Sequence, residues 1–211
     1  SPRVMYHYTA AETNFDAFKR RMNDIGFHFG TKGQANDRGA YMEERKGTHS
    51  GGRILPVYLK IANPLRVDDV GWFSFDNLAT SLIRNGHFDK DAIRRIEGST
   101  RSPAGRLARL RNLIERKGYD GLVYKNTAEI ADIAPLRAAT TAARLAVVEA
   151  QKSRGRPLNA FVENDRQSPE YVKWKEAMKA ESDFTKANGE DSYVAFRPEQ
   201  VKSAISNKGT Y

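Results

Sequence analysis

Along this chain, short aromatic and β-branched runs alternate with longer segments in which apolar residues recur every three or four positions. Val4-Met5-Tyr6-His7-Tyr8 is such a run and predicts a strand. Phe15, Phe18, Met22 and Ile25 mark one face of a predicted helix, with Asn14 as its N-cap and Gly26 at its end. Phe27-His28-Phe29 predicts a second strand, closed by Gly30, and Thr31-Lys32-Gly33-Gln34-Ala35 a capped helix start. Gly47-Thr48-His49-Ser50-Gly51-Gly52 reads as a flexible loop. Residues 54–62 carry the next strand, stopped by Asn63-Pro64. Residues 73–86 and 91–117 predict helix, broken around 99–105, and Gly121-Leu122-Val123-Tyr124 a strand behind the Tyr119-Asp120-Gly121 turn.

From residue 131 to about 188 the sequence turns Ala-rich and charge-rich, with helix predicted over 136–152. Ser168-Pro169-Glu170 supplies an N-cap, a proline at the first helical position and an acid in the first turn. Tyr171, Trp174, Met178 and Phe184 mark an apolar stripe on the helix that follows. Tyr193-Val194-Ala195-Phe196 predicts a last strand, with Arg197-Pro198-Glu199-Gln200 leading off it. Strands and helices mix without regular β-α-β alternation, and no Gly-rich phosphate loop follows a strand. The pattern predicts an α+β domain, residues 1–130 and 189–211, interrupted by a helical insertion over 131–188.

Composition narrows the chemistry. The 211 residues are 39% hydrophobic and 29% charged, the range of a soluble globular protein, with no apolar run long enough to span a membrane. The start, Ser1-Pro2-Arg3-Val4-Met5-Tyr6, has no signal-peptide core and reads as the edge of an excised domain. With no cysteine, the chain has no disulfide, thiolate zinc site or cysteine nucleophile. His7, His28, His49 and His87 do not stand at metal-ligand spacing, so no metal is expected. Lys and Arg total 35 against 26 Asp and Glu, a net charge of +9. The excess concentrates between Arg94 and Lys117, where eight basic residues face only Glu97 and Glu115. Arg94, Arg95, Arg101, Arg106, Arg109 and Arg111 are candidate nucleic-acid contacts, and a solvated helix face is an equal reading.

No single residue decides the function, but the order of segments does more. Tyr6-His7-Tyr8-Thr9 resembles the first-strand His-x-Ser/Thr motif of ADP-ribosyltransferases of the diphtheria-toxin and poly(ADP-ribose) polymerase type. Gly26-Phe27-His28-Phe29-Gly30-Thr31 resembles their second motif, a Gly-x-Tyr-Phe-like strand. The segments beginning at Tyr119 and Ser192 resemble the closing strands, and the last is most similar to the ADP-ribosyltransferase domains of phage and plasmid polyvalent proteins and bacterial toxins. The resemblance implies split antiparallel β-sheets with NAD in the cleft between them. His7 is then expected to bind a ribose hydroxyl and the backbone of Tyr8 the nicotinamide amide. Thr9, Phe29, Gly30 and Thr31 line the same binding region, with Tyr41 as a second aromatic. Cleaving the bond to nicotinamide develops positive charge on the ribose, so clamps and a nearby anion are the chemical need.

Two positions depart from the pattern. His28 stands where the second motif usually has tyrosine, and Ser192 stands where the third motif has glutamate. The expected acid is then Glu190 or Asp191, just upstream, or Glu129 at the edge of the insertion. Such a site fits transfer of a single ADP-ribose rather than chain elongation. The implied protein is a mono-ADP-ribosyltransferase, a bacterial or phage toxin or effector domain. It would act in a cytoplasm where NAD is available, including after delivery into a target cell. Its acceptor would be RNA or protein, with a cognate immunity protein as a further partner. Competing readings are NAD hydrolysis and a catalytically inactive nucleic-acid-binding module of the same fold.

Overall fold

The computed structural model describes residues 3–10, 18, 24–46, 52–130, 132–155 and 166–205. The helix expected over residues 15–25 and the loop over 47–52 fall almost wholly outside them. The chain forms two compact units, Ser1–Glu129 with Glu190–Tyr211, and Ile130–Gly189.

The first unit is built on two sheets. β1 (Val4–Thr9), β3 (Arg53–Leu59) and β7 (Val201–Ser203) form an antiparallel sheet in the order β1-β3-β7. β2 (Phe27–Phe29), β6 (Asp191–Ala195), β5 (Gly121–Lys125) and β4 (Pro64–Val67) form the other, in the order β2-β6-β5-β4. Its β4–β5 pair is parallel, because the connection between them carries three helices, α2 (Phe75–Arg84), α3 (Lys90–Ser99) and α4 (Pro103–Arg116). The sequence signals no strand at β4. Its proline is tolerated as the first residue of an edge strand, where the missing N–H breaks no ladder.

Alternation along β2 and β6 sets the core. Phe27, Phe29 and Ala195 face Met5 and Val57 of the other sheet. Leu122, Tyr124 and Val194 face Leu78, Leu82, Leu110 and Ile114 of the helices. The helices are amphipathic and sharply capped, by Ser74, Asp89 and Ser102.

The backbones of the two sheets meet where Tyr6 and Gly30 exchange both hydrogen bonds, 2.8 and 3.0 Å. Pro56 in β3 lies opposite Tyr6 without conflict, because the Tyr6 N–H and C=O are turned away from it toward Gly30. A Cβ at Gly30 would collide with the Gln34 side-chain oxygen. Gly30→Ala is therefore expected to cost about 1–3 kcal/mol of stability, measured by denaturant unfolding.

In the second unit, α5 (Ala134–Ser153) packs on α6 (Pro169–Asn188). Ion pairs Arg137–Glu181 and Arg154–Glu170 join start to end and end to start, so the two helices run antiparallel. Ser168 caps α6 as its sequence predicts. The predicted stripe is only partly covered: Tyr171, Trp174 and Phe184 are half-buried and Met178 is exposed.

Candidate active site

The residues expected to do chemistry stand on β1, β2, β6 and the turn after β5, with α1 (Lys32–Lys46) beside β1. Thr31 and Gln34 cap α1 reciprocally. Gln34 N–H donates to Thr31 Oγ1 (3.3 Å) and Thr31 N–H to Gln34 Oε1 (2.8 Å). Gln34, Arg38 and Tyr41 then follow at spacings of four and three, on one side of the helix. Gln34 is buried. Its Oε1 also accepts from Ser192 Oγ (3.0 Å), and its Nε2 donates to the Glu190 carbonyl (3.1 Å).

Ser192, buried in β6, is in turn held by Asn126, whose Nδ2 donates to Ser192 Oγ (3.1 Å) and to Glu129 Oε2 (2.8 Å). The Asn126 Oδ1 accepts the N–H groups of Ala128 (3.0 Å) and Glu129 (2.9 Å), folding the turn after β5 back on itself. Asp69 clamps the same turn from outside, accepting the Thr127 N–H and hydroxyl. A continuous polar chain thus runs Thr31–Gln34–Ser192–Asn126–Glu129, and its free end is a carboxylate.

Burial pushes the Glu129 carboxyl above the usual range, and Asp69 adds to the push. The Asn126 amide, Arg38 and His28 pull it back without cancelling it. Arg38 approaches Glu129 at 3.9 Å and lies over the half-exposed Tyr41 ring at 5.7 Å. Burial, with Glu129 and Asp69 nearby, also pushes the Tyr124 phenol well up, so that it stays protonated beside Ser192.

On β1, His7 Nδ1 donates to the His28 carbonyl (2.7 Å), and the ring packs against Phe18 and Phe29. A neutral His7 therefore carries its proton on Nδ1 and its lone pair on Nε2. The His28 ring points to the other face of β2, against Phe73 (4.9 Å) and Tyr124 (6.4 Å). Its Nε2 donates to Asp24 (3.0 Å). Burial would raise the Asp24 carboxyl, but His28 and the Gly26 and Ile25 N–H groups hold it below its usual value. Because Tyr6 spends its N–H and C=O on Gly30, strand alternation turns those of Tyr8 to the same edge of β1. The Tyr8 ring itself packs over Gly39 and Gly52.

The chain thus has two split sheets, a histidine on β1, a glycine at their junction and a carboxylate linked through Asn126 to Ser192 of β6. A family model described as ADP-ribosyltransferase in polyvalent proteins matches residues 1–211. The chain belongs to that ADP-ribosyltransferase family. The match takes in the helical unit as well as the two sheets. No match was found among the curated proteins or the solved structures.

Within the transferase domain, the three candidate acids have different surroundings. Glu190 is exposed and pairs with Arg3 (3.1 Å). Asp191 takes both guanidinium nitrogens of Arg66 (3.0 and 2.7 Å), which hold its carboxyl low. Its side chain leaves β6 on the face opposite Ser192. Glu129 alone of the three joins the polar chain. Phe29 is buried beside His7, Gly30 forms the sheet junction, Thr31 caps α1, and Thr9 ends β1 opposite Arg53.

Gln34, Asn126, Asp69 and Arg38 are the site residues that sequence reasoning missed. Asn126 stands three before Glu129, a spacing that signals a side chain bonding the turn backbone.

The basic stretch lies elsewhere in this unit. Arg95 and Arg109 line a concavity of about 330 Å³ between α3 and α4, and Arg111 lines another of about 360 Å³ beside Glu115 and Arg197. Arg94 pairs with Asp91, and Arg106 donates to the Thr100 carbonyl and lies over Phe75. Arg101 is exposed at the turn between the helices. Among the described residues no three His, Asp or Glu gather as a metal site, and no helix is long and apolar enough to cross a membrane.

Proposed function

We propose that this domain transfers a single ADP-ribose from NAD to a macromolecular acceptor, as an effector or toxin domain of a phage or bacterium. The observation that carries the reading is the polar chain ending in Glu129, which supplies a carboxylate where the third motif itself offers Ser192. NAD is the substrate that the family takes. The residues fit its needs: an acceptor nitrogen on His7 for a ribose hydroxyl, the turned edge of Tyr8 for the nicotinamide amide, and an anion for the developing positive charge.

In the reaction the C1′–N bond breaks and its electron pair leaves with neutral nicotinamide. A lone pair of the acceptor forms the new bond to C1′, and the acceptor's proton passes to solvent. Because the leaving group is neutral, no general acid is required. Glu129⁻ stabilises the ribose cation electrostatically, and we assign Arg38, which lies by Glu129 and over Tyr41, to the NAD phosphates. His28, whose ring lies on the Tyr124 face of β2, contributes to the field at Glu129.

The test is release of nicotinamide and transfer of labelled ADP-ribose by purified protein, wild type beside His7→Ala. Wild type is expected to label one acceptor class, and His7→Ala to lose about 10²-fold or more of that rate. Nicotinamide release without label would make the domain an NAD hydrolase. Neither product from folded protein would leave a binding module.

A further inference from the structure

We propose that the concavity between α3 and α4 binds the phosphodiester backbone of a nucleic acid, and that this nucleic acid is the acceptor. The second half rests on the transferase reading; the binding itself does not. Arg95 and Ser99 stand four apart on α3, and Arg109, Asn112 and Arg116 stand at i, i+3 and i+7 on α4. Residues so spaced share a helix face, and in a water-soluble domain two such faces turned on one groove ordinarily meet as an apolar seam. Here Ala92, Ile96 and Leu113 line the groove as such a seam would, and Arg95, Arg109, Asn112 and Arg116 stand among them.

The three arginines are exposed, and among the described residues none has a carboxylate within ion-pair distance. Arg66, Arg84, Arg94 and Arg197 do have one. Arg95 interacts at longer range with Asp89, whose carboxylate is committed to the Ala92 N–H at the start of α3. Three like charges around one groove repel each other unless an anion joins them. Guanidinium is weakly hydrated and matches phosphate oxygens two at a time, while Asn112 adds a neutral donor; the Ser99 hydroxyl donates to the Ile96 carbonyl.

An exposed site holds one free phosphate weakly, because water screens the attraction. A polymer that brings phosphates at regular spacing overcomes this by releasing condensed counterions. Arg101, exposed at the turn between the two helices, continues the basic path beyond the groove. These features favour a nucleic-acid backbone over a small anion, and the phosphodiester is common to RNA and DNA.

The experiment titrates the full chain with fluorescein-labelled oligouridylate RNA and oligothymidylate DNA across a range of salt, with inorganic phosphate as competitor. Wild type is compared with Arg95→Gln/Arg109→Gln and with Arg94→Gln as a basic control. Wild-type affinity is expected to fall steeply with salt. The double variant should bind on the order of tenfold more weakly, with a slope of log K against log salt smaller by about 1.4. Arg94→Gln should change much less than the double variant. Preference for one polymer names the acceptor. Absence of wild-type binding, or a folded double variant with unchanged affinity and slope, overturns the proposal. So does full competition by inorganic phosphate at concentrations comparable to the oligonucleotide. For the transfer step, the double variant should keep nicotinamide release and lose label on the nucleic acid. Binding without any NAD turnover would overturn the transferase reading and the acceptor role while leaving the docking surface.

Discussion

Glu129→Gln is expected to lower ADP-ribosyl transfer by about two to three orders of magnitude while leaving the fold at least as stable as wild type. The substitution keeps an oxygen to accept the Asn126 Nδ2–H and removes the negative charge proposed to stabilise the ribose cation. Stability moves the other way because of the sign of the Glu129 shift. Its carboxyl is raised in the folded chain by burial, so the folded state binds a proton more tightly than the unfolded state does. Glu129 therefore favours folding most at low pH. That contribution declines as pH climbs from the unfolded value of 4.5 up to the folded one, and stays low above it. The glutamine has no such decline, and thermal melts above that window should show no loss. The same shift sets the rate profile. Transfer is expected to need the carboxylate, so its acid limb should lie above the ordinary glutamate range, measured as kcat/KM against pH, which reports the free enzyme. A limb at the ordinary value, or a Glu129→Gln protein of wild-type rate, would contradict this role.

The second large effect belongs to a residue that does not meet the substrate. Asn126→Ala removes one amide that makes four hydrogen bonds, to Ser192, to the Glu129 carboxylate and to two N–H groups of its own turn. Gln34 remains, but the turn loses the group that folds it. Leaving such buried polar groups unmet costs about 1–3 kcal/mol. Denaturant unfolding should show that loss. Activity should also fall, with the acid limb of its pH profile moved upward, because the Asn126 amide is the largest influence that lowers the Glu129 carboxyl. A stability loss with an unmoved limb would make Asn126 a purely structural residue.

Much of the fold was legible because its signals are local. The aromatic runs at β1 and β2 and the cap at Ser168 each depend on a few adjacent residues, and each formed where read. The same holds for the break between α3 and α4. The strand Pro64–Val67 was not legible, since a four-residue edge strand beginning with proline carries little pattern of its own. Its partner β5 lies beyond three helices.

The candidate site divides along the same line. The positions of His7 on β1 and of Gly30 at the end of β2 were readable from short motifs; the bridge from Gly30 to Tyr6 was not. The link between Gln34 and Ser192 joins residues 158 positions apart, and Asn126 to Ser192 spans 66. Such pairs exist only once β5, β6 and α1 are side by side. Sequence order therefore left Glu129, Glu190 and Asp191 open as alternatives, and their surroundings differ, although each has an arginine within ion-pair distance. Arg3 and Arg66 occupy the latter two, while Asn126 presents the first.

The central claim is that this domain moves ADP-ribose from NAD with Glu129 as its carboxylate. The most direct measurement is transfer of labelled ADP-ribose by wild type, Glu129→Gln and Glu190→Gln/Asp191→Asn, each checked for folding by melting. Wild type is expected to transfer label, the double variant to transfer label to the same order, and Glu129→Gln to lose about 10²-fold or more. Wild-type transfer that survives Glu129→Gln and disappears in the double variant would contradict that claim.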